Sequence, residues 1–423
     1  MLKNFMFLFL ALRAADLLNL FGGLYLVPKF VAPKDLGAVL PITTFATLIA
    51  IPIYAIAMTA LRESSRLRAE RKDTRPFIRG IFAAVGVTAI IALGIAAALL
   101  PRYLERLDIV DSLSGYLAVT AAFLGCVSPV YLDQLQAAKR FGTVSVIEVS
   151  AAALRLVTMA TLMPFRALAG YFAGGVIKPL VQIFGPLLAL YRDGSPSRDA
   201  NNNRGCGILS APYWTFENIG RLMTVFCLLL PYLWLPMQVS LIENNFIRLL
   251  LSPEDSAGYY MATRISDLLN YISFPIMFVM FPYVTDKAAK GKSYVKMTLE
   301  CCGVILAVAI TAAAITRFCG GRILSLLPNG EDYTAYAKYL PMLIFFMALG
   351  AMQSIITNAF VAAGKFTFLW WFIPLNLAYL AILPQFVGDS PTLGSLIEIF
   401  TLFALVRCLI ALVQLKLDSR STK

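Results

Sequence analysis

The stretch GIFAAVGVTAIIALGIAAALL, from Gly80 to Leu100, runs for 21 residues without a single charge. At about 1.5 Å of rise per residue, a helix of that length matches the roughly 30 Å hydrocarbon core of a bilayer. The rest of the chain repeats the pattern. Of 423 residues, 59% are hydrophobic and only 14% are charged, and mean hydropathy is +0.75. Soluble domains carry roughly 25% charged residues, so this much apolar surface has the bilayer as its solvent. Backbone polar groups in hydrocarbon need internal partners, which restricts the chain to helices or a closed barrel. Runs of about 20 residues fit helices, whereas barrel strands alternate over about ten.

Apolar runs fall near 5–27, 36–61, 80–100, 113–137, 144–164 and 168–191, then near 221–246, 257–285, 295–317, 336–363, 368–387 and 393–416. The sequence therefore predicts an all-α integral membrane protein with about twelve transmembrane helices. The first run is too long for a signal peptide and leads straight into further spans, so it reads as uncleaved. An even number of spans places both termini on one side. With the N-terminus inside, the inner segments hold 20 cations and the outer segments 9, and seven of the inner ones crowd between Arg62 and Arg79. That bias places both termini in the cytoplasm and predicts a multi-pass protein of the inner (cytoplasmic) membrane.

The polar interruption after the sixth run contains Arg-Asp-Gly-Ser-Pro-Ser and Asn-Asn-Asn. It reads as a flexible cytoplasmic linker over 192–210, between six-helix bundles at 1–191 and 211–423. Short echoes support a duplication. Ala137-Ala138-Lys139-Arg140-Phe141 follows the fourth run and Ala362-Ala363-Gly364-Lys365-Phe366 the tenth. Pro33-Lys34-Asp35-Leu36-Gly37 follows the first and Pro253-Glu254-Asp255-Ser256-Ala257-Gly258 the seventh. Six helices per bundle give both the same orientation, which predicts a pseudo-twofold along the membrane normal.

Several function classes drop out. The net charge of +12 is what cytoplasmic loops of a membrane protein collect, and it does not call for nucleic acid. There is no histidine, the commonest general base and metal ligand. The seven cysteines (Cys126, Cys206, Cys227, Cys301, Cys302, Cys319 and Cys408) show neither a disulfide framework nor zinc spacing. No outer segment is long enough to hold a convergent acid–base set. The sequence thus predicts no enzyme, no cofactor and no metal.

Charge inside the spans carries the functional signal. Arg13, Arg155, Lys178, Arg264 and Arg407 lie deep, and facing lipid they would together cost roughly 12–18 kcal/mol. They must pair with acids or line a wet cavity. The deep acids legible in the sequence are Asp16, Glu148 and Asp267, so a positive excess is expected. Arg221 and Lys296 lie near a boundary and can snorkel. Arg13-x-x-Asp16-Leu-Leu-Asn19 in the first span and Arg264-x-x-Asp267-Leu-Leu-Asn270 in the eighth each set three polar groups along one helix face. Two readings stand. Each Arg–Asp pair is a local neutralising contact that aids insertion, or each stripe faces a cavity where Asp orients Arg toward an anion. Arg155 follows Glu148 by two turns on the same face. Lys178 follows Gly170-x-x-x-Gly174, a pattern of close helix packing. Arg407 shares its span with Glu398, too far along the helix to pair.

Three stretches resemble motifs of polysaccharide-export flippases within the multidrug/oligosaccharidyl-lipid/polysaccharide (MOP) superfamily. They are Pro33–Gly37, Leu135-Gln-Ala-Ala-Lys-Arg-Phe141, and Gly258-Tyr-Tyr-Met-Ala-Thr-Arg264-Ile-Ser-Asp267 leading to Phe281-Pro282. The resemblance implies a V-shaped pair of six-helix bundles moving between inward- and outward-open states. It implies an undecaprenyl-pyrophosphate-linked oligosaccharide, an O-antigen or other surface-polysaccharide precursor, carried from the inner to the outer leaflet. Polysaccharide and lipopolysaccharide biosynthesis, with a polymerase and glycosyltransferases as partners and a monomer as the working unit, follow from it. Arg264 and Asp267 match an arginine and acid that matter in lipid II flippases, and Arg13 is the nearest first-span counterpart. The chain departs by having twelve runs where lipid II flippases have fourteen. The candidate head-group ligands are therefore Arg13, Asp16, Asn19, Arg155, Lys178, Arg264, Asp267, Asn270 and Arg407. The rival expectation is a Na⁺- or H⁺-coupled multidrug exporter of the same superfamily, for which an acidic cavity would be the natural chemistry.

Overall fold

A chain that must satisfy its own backbone in hydrocarbon has helix as its cheapest answer, and the computed structural model is helical almost throughout. It describes residues 2–69, 75–109, 111–137, 140–192, 216–388 and 391–420, and no β-strand occurs among them. The linker expected over 192–210 lies, apart from Arg192, outside the described residues. Among those described, eleven helices are long and apolar enough to cross a membrane. They correspond to eleven of the twelve predicted runs.

The remaining run, the eighth, is interrupted. Helix Pro253–Ser266 gives way to a 3₁₀ turn at Asp267–Leu269 and resumes as Asn270–Ala289. Ser266, Asp267 and Asn270 keep right-handed helical dihedrals, so the turn tightens the helix without ending it. The first helix is also irregular. Leu2–Phe21 passes into a π-helical stretch, Gly22–Leu26, and then Val27–Phe30.

Packing divides the chain into two compact units, Met1–Val31 with Val39–Leu241, and Ala32–Ala38 with Ile242–Lys423. In the first unit the sixth helix (Ala167–Arg192) packs on the fourth (Ser112–Ala137) and fifth (Phe141–Leu162), and the first helix packs on the fifth. The glycine pattern permits this. A Cβ at Gly170 would lie 2.6 Å from the Met163 nitrogen, and one at Gly174 would lie 3.0 Å from the Arg155 carbonyl oxygen. Close packing is thus what Gly170-x-x-x-Gly174 supplies, and it draws the Arg155 backbone against the sixth helix.

In the second unit the tenth helix (Leu340–Ala362) is the core element, with Ile355, Ile356, Ala359 and Phe360 fully covered. The short helix Pro33–Leu36 belongs here and packs on the start of the eighth. Both echo segments begin the same way, with Pro at the first helical turn after an extended residue. Ala32 has φ −63°, ψ 152° and Ser252 has φ −61°, ψ 156°. Proline suits that position because its missing N–H has no helical acceptor to lose. Gly37 is needed because a Cβ there would run into Ser256, and Arg248 Nη1 donates to the Lys34 carbonyl at 2.9 Å.

Candidate functional site: the buried charges

In the first unit the predicted residues converge. Arg13 and Asp16 form an ion pair at 3.0 Å, with their side chains 28% and 30% exposed. Asn19, one turn further on, accepts from Arg155 Nη1 on the fifth helix at 3.0 Å. The Arg155 guanidinium also lies 5.8 Å from the centre of the Tyr171 ring. Its Nε is buried without a hydrogen-bond partner, and no carboxylate pairs with it among the described residues. Lys178 makes neither hydrogen bond nor ion pair among the described residues, yet it lies within electrostatic reach of Arg155, Glu148 and Asp16. Glu148 does not turn to Arg155. Gln182 Nε2 donates to both of its oxygens at 3.0 Å, and Gln182 Oε1 accepts from Ser128 Oγ at 3.3 Å. Three deep cations therefore face two deep acids, and one of those acids is occupied by an amide.

In the second unit the stripe closes on itself. Arg264 Nη1 meets Asp267 at 3.1 Å, and Asn270 Nδ2 donates to the other Asp267 oxygen at 3.4 Å. The Arg264 guanidinium rests 5.1 Å from the centre of the Tyr260 ring.

Depth alone groups Arg407 with the head-group ligands, but the structure gives it different company. It is 7% exposed, donates to Asn376 Oδ1 at 3.2 Å and lies 4.6 Å from the Phe403 ring centre. Within electrostatic reach is Glu243 of the seventh helix (Phe216–Leu250), 4% exposed, which accepts from Tyr379 Oη at 2.9 Å. Tyr379 stacks on Phe403 with ring centres 3.6 Å apart. This is a buried network, in which the Arg407 Nε still lacks a hydrogen-bond partner, and it leaves Arg407 without the partial exposure that the other candidates share.

Glu243 is a buried acid that the sequence reading missed. Glu243-Asn244-Asn245 reads as the polar end of a run, but the helix continues to Leu250 and draws Glu243 inside. Among the described residues the deep acids thus number four against five cations. The second unit balances, Arg264 and Arg407 against Asp267 and Glu243, and the surplus positive charge sits in the first. Arg221, placed at a boundary, pairs with Glu63 at 2.6 Å.

No protein-family model matches the chain, and no curated protein matches it either. Solved structures do. An inward-facing multidrug resistance MATE family transporter of the MOP superfamily aligns over 96% of this chain and 95% of its own, with TM-score 0.65 and 15% identity. The lipid II flippase MurJ, in an inward closed conformation, aligns over 97% and 87%, with TM-score 0.71 and 12% identity. The Vibrio cholerae MATE transporter VcmN, in the bent form, aligns over 99% and 96%, with TM-score 0.61 and 13% identity. The fold is that of a multi-pass membrane transporter. More particularly, it is the fold of the MOP superfamily, shared by multidrug exporters and a lipid flippase.

Proposed function

We propose that this protein moves an undecaprenyl-pyrophosphate-linked oligosaccharide, a surface-polysaccharide or lipopolysaccharide precursor, from the inner to the outer leaflet of the cytoplasmic membrane by alternating access. The observation that carries the reading is the uncompensated positive charge of the first unit. Among the described residues Arg155 forms no ion pair and keeps a buried Nε without a partner, and Lys178 forms neither ion pair nor hydrogen bond, so both have donors to offer an incoming anion. A pyrophosphate supplies it, because its charge is what cannot cross hydrocarbon and its oxygens match the planar guanidinium fork. In this reading Arg13, Arg155 and Lys178 hold the head group, and Asp16 and Asn19 orient the two arginines. The polyprenyl tail stays in lipid, both termini lie in the cytoplasm, and no covalent step is required. Glycosyltransferases of the same route supply the substrate and a polymerase consumes the product.

A second reading, export of drugs, draws on one observation. The chain spans 95% of the multidrug transporter's length and only 87% of the lipid II flippase's. One experiment separates them. Cells depleted of the protein are assayed for labelled lipid-linked glycans and for drug susceptibility, then complemented with wild type or Arg155→Ala. The flippase reading expects unpolymerised intermediate to accumulate on the inner leaflet. It also expects Arg155→Ala to restore flux at least about tenfold less well than wild type, as loss of a charged hydrogen-bond donor implies. Normal glycan export together with heightened drug sensitivity would favour the exporter.

A further inference from the structure

The first unit contains an acid that gripping a head group does not use, and it is built into place. Glu148 accepts two hydrogen bonds from the Gln182 amide, and that amide is oriented by Ser128. Ser128 and Gln182 are 4% and 8% exposed, so the relay is fixed by packing across the fourth, fifth and sixth helices. Lys178 precedes Gln182 by one helical turn, which puts the clamped carboxylate on the same face as the ammonium. The other charged groups that act on this pair are Asp16 from the first helix and Arg155, two turns along Glu148's own helix. Glu148 is thus held beside Lys178 by an amide, without an ion pair between them.

We propose that Glu148, positioned by Gln182 and Ser128, is a resident counter-anion that competes with the phosphate of the substrate for Lys178 and so sets how readily the head group leaves. The inference rests on the flippase reading and adds a residue to it. A transporter must release what it binds, and bare cations in a low-dielectric interior would hold pyrophosphate too firmly to turn over. A fixed carboxylate nearby removes part of that excess. It steadies the cations in the empty state and repels the phosphate in the loaded one. The energy difference falls on the loaded state, which is where release begins.

The test uses the full chain in phosphatidylcholine nanodiscs. It measures equilibrium binding and dissociation of undecaprenyl pyrophosphate for wild type, Glu148→Gln, Glu148→Asp, Gln182→Leu and the double variant Glu148→Gln/Gln182→Leu. Glu148→Gln is expected to bind about tenfold more tightly and release correspondingly more slowly, the effect of one charge removed from a neighbouring site. Glu148→Asp, which keeps the charge, is expected to return toward wild type. Gln182→Leu frees the carboxylate to engage Lys178, so binding weakens several-fold, and the double variant tightens again because no carboxylate remains to swing. Unchanged or weaker binding by Glu148→Gln, with wild type binding normally, overturns the counter-anion role alone. Absence of binding by wild type overturns the flippase reading beneath it.

Discussion

The two Arg-x-x-Asp-Leu-Leu-Asn stripes share a sequence and a local geometry, yet they end in different company. Their ion pairs measure 3.0 and 3.1 Å, and the four side chains are all 25–30% exposed. Beyond the pair they diverge. Asn19 reaches out to Arg155, whereas Asn270 turns back onto Asp267. The helix irregularities differ as well. A π stretch begins just after Asn19, while the 3₁₀ turn begins at Asp267 itself; both kinds of break recur at functional sites and hinges. The lesson is that the motif does only the local half of the work. It neutralises an arginine within one helical turn, and its neighbours decide whether charge is left over for a ligand. In the first unit charge is left over. In the second, Glu243 absorbs it.

That contrast is broken most forcefully at Arg407. Arg407 and Glu243 form no ion pair but lie within electrostatic reach of each other, and removing one buried charge leaves the other without its counter-charge, at a cost of up to about 3–5 kcal/mol. Arg407→Leu should therefore lower the thermal midpoint of the detergent-solubilised protein sharply, and Glu243→Leu should do the same. Arg407→Leu/Glu243→Leu should recover most of the loss, since an apolar replacement of both partners is near neutral. A mild Arg407→Leu with transport abolished would move Arg407 back among the ligands and erase the contrast. A smaller effect is expected at Gly170 in the first unit. There a new Cβ meets the Met163 backbone at 2.6 Å, which no rotamer change relieves. Gly170→Ala should cost about 1–3 kcal/mol and loosen Arg155 with it. Gly86→Ala, where nothing lies within 4 Å, serves as the neutral control.

The spans were legible because hydrocarbon imposes length and apolarity on every crossing segment. The motif pairs were legible because i, i+3 contacts are set by helix geometry alone. The Pro33 and Pro253 echoes were legible because proline fixes its own φ and holds the residue before it extended. The partners of those motifs were not. Helices apolar on all sides do not announce their rotation, so nothing in the sequence says that Asn19 meets Arg155 or that Asn376 meets Arg407. Ser128 and Gln182 carry no charge to mark them among apolar neighbours. Glu243 was hidden by its own setting, because Glu-Asn-Asn looks like the end of a helix that in fact continues. Packing also assigns Ala32–Ala38 to the second unit, through Gly37 and Arg248, and neither residue signals that by type.

The finest test of the contrast is a pair of charge swaps. Arg264→Asp/Asp267→Arg keeps a local i, i+3 pair, beside the Tyr260 ring and Asn270. Solvent-exposed pairs are worth about 0.2–1 kcal/mol; this one is partly buried but the swap keeps it, so stability should move by about that much, as read from the thermal midpoint. Arg13→Asp/Asp16→Arg preserves the same local pair but reverses the field that Asp16 places on Lys178. A new cation at position 16 then faces an existing one, and the donor at position 13 is moved along the helix with no change in net charge. The first-helix swap should lose binding of undecaprenyl pyrophosphate while the eighth-helix swap retains more of it, although the two are equivalent on paper. Equal losses from both swaps would mean that the stripes contribute alike, and that the charge imbalance between the units does not govern the grip on the head group.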